Sequence, residues 1–129
     1  MKMKVKVKKE FEVYDLQEGR NTVVGSVRGT LEIEGRFNSI QEVVRPRLRR
    51  ALKETVDKEN AYYDVMVFPR KIVVTVGVRE VPVGEMVNTK KWMRGILHYA
   101  KEIVKDTWQY IMTVKELEST EEYEEEWEA

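Results

Sequence analysis

Alternating hydrophobic and polar positions dominate the first third of the sequence. The odd positions of Val5–Val13 are mostly apolar while the even ones are Lys or Glu, and Val23–Phe37 alternates again, with Gly25 and Gly29 on its apolar side. A period of two predicts strands with one buried and one solvated face. With a turn around Gly19, these segments predict a long antiparallel hairpin. The inward glycines predict a bend or the close approach of a helix.

A helical pattern begins after this hairpin. Ser39 and Glu42 have the spacing of a capping box, which predicts a helix that starts near Ile40. Apolar residues then recur three and four positions apart as far as Val56. Pro46 lies inside this pattern, so we expect a kink or a restart of the helix there.

Two Val-rich runs predict a second hairpin. Tyr62–Phe68 and Ile72–Val81 flank Pro69 and Arg70. Because both runs are almost continuously apolar, we expect them to be central strands of a sheet.

Apolar residues four and three positions apart form a heptad seam in the last predicted helix, which starts between Glu85 and Lys90. A helix of about 30 residues would be about 45 Å long, which is more than one small domain covers, so we expect the seam to bind a second subunit. The predicted interface residues are Met93, Leu97, Val104, Ile111 and Val114. The element order ββαββα predicts an α+β fold with a four-stranded antiparallel sheet and two helices.

Charge is distributed unevenly along the chain. The 129 residues include 23 basic and 23 acidic ones, but residues 114–129 hold eight Glu and one Lys, a net charge of −7. Residues 1–113 therefore carry a net charge of +7. We divide the chain into a basic domain, residues 1–113, and an acidic C-terminal tail, residues 114–129. A basic body favours a polyanionic partner.

Cations lie beside aromatic residues in several places. A protein that binds single-stranded nucleic acid uses this combination, because the cations contact the phosphate backbone while the rings stack on the bases. The segment RPRLRR is the densest, and it places Arg45, Arg49 and Lys53 on one helix face. The predicted nucleic-acid-binding residues are Arg45, Arg47, Arg49, Arg50, Lys53, Tyr62, Phe68, Arg70, Lys71, Lys90, Lys91, Trp92 and Arg94. The alternatives are a solvated helix face for the cations and ordinary core for the rings.

The acidic tail contains two aromatic residues, Tyr123 and Trp127. So many glutamates are not expected to fold alone. One interpretation is an inhibitory mimic of nucleic acid, in which carboxylates replace phosphates and rings replace bases. A second is a peptide that recruits partner proteins, and a third is a solubilising tail.

Catalytic signals are weak. The chain has no cysteine and one histidine, His98, which excludes thiolate sites and paired-histidine metal sites. Glu32 and Glu34 share a strand face without other support for a metal site. We therefore expect no enzyme activity, no cofactor and no metal. No apolar run is long enough to cross a membrane, so a cytoplasmic protein is expected, and abundant Lys and Glu favour a hyperthermophilic source.

The architecture resembles the ThermoDBP-type single-stranded DNA-binding family of hyperthermophilic archaea. The segments that carry the resemblance are RPRLRR, Tyr62–Lys71, Lys90–Arg94 and the heptads from Met93 to Val114. The resemblance implies a groove lined by basic and aromatic residues, and dimerisation through a C-terminal leucine zipper.

The leading hypothesis is a non-enzymatic, sequence-independent single-stranded nucleic-acid binding protein, most simply a DNA-binding one, that forms a homodimer or a higher oligomer. An alternative is an oligomeric structural or adaptor protein with an acidic docking tail. A carboxylate-metal nuclease is the third hypothesis. The choice between DNA and RNA, and between cellular and archaeal-viral origin, stays open.

Overall fold

The computed structural model describes residues 2–19, 21–111 and 123–128, which form five strands and two α-helices. In chain order these are β1 (Lys2–Glu18), β2 (Val23–Glu34), α1 (Gln41–Thr55), β3 (Ala61–Val67), β4 (Lys71–Pro82), α2 (Met86–Ile111) and β5 (Tyr123–Glu128). A short 3₁₀ turn, Val83–Glu85, joins β4 to α2. The predicted α+β class and both hairpins are confirmed, and the predicted order ββαββα is found with a further strand after it.

The five strands form one antiparallel sheet in the order β3-β4-β2-β1-β5. The predicted number of four strands is wrong, because β5 adds to the outer edge of β1. The prediction that both Val-rich runs are central is correct for β4 only. Strand β3 lies at an edge, paired to β4 alone.

The alternation of β1 and β2 divides the sheet into a helix-covered face and an open face. Inward residues such as Val5, Val7, Leu31 and Ile33 are fully buried beneath the helices. The predicted close approach at the inward glycines is also found, since a Cβ atom on Gly29 would lie 3.1 Å from Leu97 Cδ1 of α2. These contacts place the core between the sheet and the two helices.

Helix α1 forms where it is predicted but without the predicted cap. Ile40 occupies the N-cap position and no side chain caps the helix, so the box of Ser39 and Glu42 does not form. The backbone replaces it, as Ile40 N and Gln41 N both donate to Phe37 O at 3.1 Å. Pro46 lies in the second turn, and the helix runs through it from Gln41 to Thr55, so the predicted restart does not occur, although the proline removes one backbone hydrogen bond.

Helix α2 has 26 residues, about 39 Å, and its apolar seam belongs to the core of this chain. Met93, Leu97 and Val104 are fully buried against the sheet. The prediction that these three side chains form an oligomer interface is therefore corrected: a helix that covers a sheet needs the same spacing of apolar residues as a helix that covers a partner. The Ile111 side chain and Val114 lie outside the described residues.

Part of the predicted tail is a strand of the sheet. Residues 123–128 pair antiparallel with residues 2–7, so that Lys2, Lys4 and Lys6 lie opposite Glu128, Glu126 and Glu124. Residues 114–122 of the predicted tail lie outside the described residues. The acidic run does not fold alone, but opposite charges on the neighbouring strand provide its partner.

Candidate nucleic-acid interface

Two loops meet at the end of the sheet where β2 and β3 finish. Gly35 N donates to Arg70 O at 3.0 Å, and Phe37 N donates to Pro69 O at 2.7 Å. These backbone hydrogen bonds join the β2–α1 loop to the β3–β4 turn. They bring together Arg36 and Arg70, which are distant in the sequence.

A groove of about 1050 Å³ opens at this end. We call it the loop-end groove. It is bordered by five cations and two carboxylates, namely Lys4, Lys6, Arg36, Arg70, Lys71, Glu34 and Glu124. Trp108 of α2 also lines it, but only 2% of this residue is exposed, so its ring belongs to the core.

The cations of the loop-end groove differ in how they are paired. Lys4 Nζ lies 2.9 Å from Glu124 Oε2, and Lys71 Nζ lies 3.4 Å from Glu32 Oε1. The hydrogen bond and the negative charge of Glu124 raise the pKa of Lys4. Within the described part of the chain, the guanidinium groups of Arg36 and Arg70 make no ion pair. The available positive charge of the groove therefore lies mainly on these two arginines.

Helix α1 extends this basic surface. Arg45 Nη2 donates to Val67 O at 3.2 Å, and Arg45 Nη1 lies 3.7 Å from Glu42 Oε2. Arg49 and Lys53 follow at intervals of four residues, and both are exposed. A line of three cations therefore leads away from the end of β3 along one flank of α1.

Phe68 begins the β3–β4 turn and is followed by the groove residues Arg70 and Lys71. It directly follows Val67, the residue that Arg45 contacts, and Phe68 N donates to Lys71 O at 2.8 Å in the turn. Phe68 is 45% exposed, so its ring is accessible to a stacking partner. The structure thus brings together four of the predicted site residues, Arg45, Phe68, Arg70 and Lys71.

Other predicted site residues lie elsewhere on the molecule. Tyr62 is five residues before Val67 on β3, about 17 Å away along the strand. Its ring lies over Gly77 on the open face, with Arg79 Cζ 4.7 Å from the ring centroid and the Tyr14 hydroxyl at 3.0 Å. Burial and the hydrogen bond with Tyr14 raise the pKa of Tyr62.

Four predicted residues lie at the opposite end of the sheet from the loop-end groove. The side chains of Lys90 and Arg94 lie over the ring of Phe11, each 5.2 Å from its centroid. Trp92 is partly buried beneath Lys58, and Lys91 is exposed. These residues belong to the first turns of α2, so the sequence-predicted site is divided between two ends of the molecule.

Two further arginines of α1 have different surroundings. Arg47 Nη1 donates to Thr107 Oγ1 at 2.7 Å and so joins α1 to α2. Arg50 is exposed on the outer surface of α1. Arg47 therefore has a packing role that the pattern of charges does not reveal.

The structure gives Tyr123 of the tail a role that the sequence does not predict. Tyr123 accepts a hydrogen bond from Lys101 Nζ at 2.6 Å, so its hydroxyl is engaged within the fold. The backbone of Trp127 lies opposite Met3, and its side chain is outside the described residues.

Sequence reasoning missed Lys4, Lys6 and Arg36 as groove residues. Lys4 and Lys6 belong to the polar face of the first predicted strand, but the pattern gives no reason to place them near Arg70. Arg36 is a single cation after a strand, and its importance depends on the hydrogen bonds of Gly35 and Phe37. Only the three-dimensional arrangement identifies these residues.

No protein-family model matches the chain, and no curated protein is significantly similar to it. The resemblance to the ThermoDBP-type family therefore stays a prediction. Neither helix of the described chain is both long enough and apolar enough to cross a membrane. In the same residues, no three His, Asp or Glu side chains come together as a metal site would require.

Proposed function

We propose that the protein binds single-stranded nucleic acid without sequence preference, through the loop-end groove and the adjoining flank of α1. The observation that carries this proposal is that hydrogen-bonded loops bring Arg36 and Arg70 to one end of the sheet, where Arg45 binds Val67 O and the neighbouring Phe68 is exposed. Guanidinium groups neutralise phosphates, and a flat ring stacks on a base of any sequence. Because a duplex stacks its bases internally, an exposed ring favours a single strand.

The distribution of charge favours the flank of α1, and not the rest of the open face of the sheet, as the continuation of the loop-end groove. Helices α1 and α2 each carry five basic and two acidic residues. On the open face, by contrast, cations alternate with acids, as in the pairs of Arg28 with Glu12 and of Lys71 with Glu32. A polyanion is attracted to the excess of positive charge on the helices.

Strand β5 is the regulatory element of this proposal. Its residue Glu124 borders the loop-end groove and pairs with Lys4, so a carboxylate already occupies one place where a phosphate would bind. We infer that the acidic segment competes with nucleic acid at this edge of the groove. Among the described strands, β5 pairs with β1 on one side only, so docking of a partner protein along its outer edge is the alternative to this inference.

The test is oligonucleotide binding at several salt concentrations. Replacing Arg36 and Arg70 together by Gln removes two phosphate contacts, so the slope of log K against log salt should become shallower by about 1.4 on single strands. The matched control replaces Lys58 and Arg79 by Gln. It removes the same charge from residues that lie over aromatic rings away from the groove, and its slope should not change.

Two outcomes would overturn the proposal. One is a wild-type protein that does not bind a labelled oligothymidine at low salt. The other is an equal loss of slope in the groove variant and the control, which would mean that net charge and not the groove attracts the nucleic acid. A parallel titration with oligouridine distinguishes DNA from RNA, and one with a duplex of equal length tests the preference for single strands.

A further inference from the structure

Exposed apolar side chains gather at the end of the sheet opposite the loop-end groove. The β1–β2 hairpin forms an arm there, which we define as residues 10–19 and 21–24. Leu16 of the arm is 61% exposed and Val87 of α2 is 66% exposed. The exposed apolar residues of this end are Val13, Leu16, Val23, Val83 and Val87.

Contacts with Gly25 and Phe11 show that the arm and the start of α2 form one surface. A Cβ atom on Gly25 would lie 2.9 Å from Leu16 Cδ2 and 3.0 Å from Met86 Cε, so α2 begins directly beside Leu16. Lys90 and Arg94 then cover Phe11. We call the apolar residues together with the flanking charges of the arm and of α2 the arm-end surface.

Acidic and basic residues of the arm-end surface belong to different segments. Residues 10–18 of the arm contain four acidic and no basic residues, whereas residues 86–95 of α2 contain three basic and no acidic residues. Within residues 2–19, 21–111 and 123–128, no ion pair is made by Asp15, Glu18, Lys90, Lys91 or Arg94. The Nε atom of Arg94 is buried and, in the same part of the chain, has no hydrogen-bond partner.

The edge of β1 supplies a third observation. Strand β5 covers residues 2–7, and within the arm, from Glu10 onward, the outer edge of β1 has no neighbouring strand among the described residues. An uncovered edge beside exposed apolar side chains is a surface that folded proteins normally bury.

We propose that the arm-end surface binds a second copy of this chain in a twofold-symmetric dimer. In such an interface the same surface meets itself, so the acidic arm of one copy would lie against the basic start of α2 in the other, around a central cluster of apolar residues. Charge of both signs on one surface favours self-association over a polyanion, which would require cations only. The proposal does not depend on nucleic-acid binding.

Sedimentation velocity of the full chain tests this proposal. We expect a dimer for the wild type, and a monomer for the double variant Leu16→Glu and Val87→Glu. Because both side chains are largely exposed, this variant should still fold. Its circular dichroism spectrum should match that of the wild type, and it should show a thermal unfolding transition. Val43→Glu is the matched control, since Val43 is 48% exposed on α1, and it should remain a dimer.

Charge reversal gives an independent test with a rescue. A variant with Asp15→Asn and Glu18→Lys, and a second variant with Lys90→Glu and Lys91→Glu, should each be a weaker dimer than the wild type. A mixture of the two should recover the dimer, because the positive charge at position 18 of one variant then meets the negative charges at positions 90 and 91 of the other. A wild type that sediments as a monomer at every concentration up to its solubility limit would overturn the proposal, and so would a dimer that the Leu16 and Val87 substitutions leave intact.

Discussion

Each face of the sheet holds a Lys–Glu ion pair, one buried and the other exposed. Two adjacent residues of β5, Glu125 and Glu124, supply the carboxylates of these two pairs. On the helix-covered face, Lys101 Nζ lies 3.2 Å from Glu125 Oε1, and both side chains are 0% exposed. On the open face, Lys4 Nζ lies 2.9 Å from Glu124 Oε2, and 68% and 57% of the two side chains are exposed. The shorter distance is therefore found in the pair that water reaches.

Burial, and not distance, decides what each pair contributes. Water and salt screen the exposed pair, so its loss has little effect on folding. The buried pair also binds the hydroxyl of Tyr123 and connects α2 to β5. Removing one member of the pair takes away the nearby opposite charge from a group buried in a medium of low dielectric constant.

The largest effect is expected for Lys101→Ala. This change removes the Lys101 ammonium group from the buried Glu125 carboxylate, so the free energy of unfolding should fall by about 3–5 kcal/mol. Urea denaturation followed by circular dichroism measures the loss. The double variant Lys101→Met and Glu125→Leu should recover most of it, because it removes both charges. A single variant as stable as the wild type would show that β5 is not anchored through this pair.

A smaller effect, on the open face, concerns the ionisation of Tyr62. Burial and the hydrogen bond with Tyr14 raise the pKa of Tyr62 above its ordinary value of 10.0. The folded state therefore favours the neutral hydroxyl. The stability that this group contributes is complete below about pH 10 and is lost as the pH rises through the raised pKa.

Ultraviolet absorbance of tyrosinate during an alkaline titration checks this prediction. One tyrosine should ionise later than in the unfolded chain, and the Tyr62→Phe variant should lack that late step. If the late step persists in the variant, it belongs to a different tyrosine.

The smallest effect is expected for Glu124→Gln, the exposed counterpart of the Lys101 test. The amide keeps the shape of the side chain but releases Lys4, so the midpoint of urea unfolding should be unchanged. If β5 competes with nucleic acid, oligonucleotide binding should tighten by less than about fivefold at low salt, and the gain should vanish at high salt. Glu80→Gln, on β4 and outside the groove lining, is the control for net charge. Equal gains in both variants would contradict competition at the groove.

Local patterns predicted the elements whose periodicity reports burial. The alternation in β1 and β2 and the apolar runs of β3 and β4 predicted those strands, and helical spacing predicted α1 and α2. Strand β5 was missed because its sequence, YEEEWE, has a polar composition and its partner lies more than a hundred residues earlier. The heptad seam correctly predicted a helix. It predicted a second subunit as the partner of Met93, Leu97 and Val104, which instead pack on the sheet, since the spacing does not distinguish a sheet from a second subunit.

The sequence predicted which kinds of side chain form the candidate site better than it predicted where they lie. Clusters of cations and rings gave Arg45, Phe68, Arg70 and Lys71, which the fold brings to one end of the sheet. The same rule also selected Lys90 and Trp92, which α2 carries to the other end. Adjacency in sequence therefore identified the kinds of side chain, while the backbone hydrogen bonds between two loops decided which of them meet.

The pairing of β1 with β5 has a consequence for the newly made chain, because it joins the earliest described strand to the latest. A ribosome that adds about 5–20 residues per second needs on the order of ten seconds to travel from Val7 to Tyr123. During that interval the outer edge of β1 has no β5 to cover it. Lysines at alternate positions keep such an edge from joining the edges of other nascent chains. The same lysines thus protect the unfinished protein first and lie opposite the glutamates of β5 afterwards.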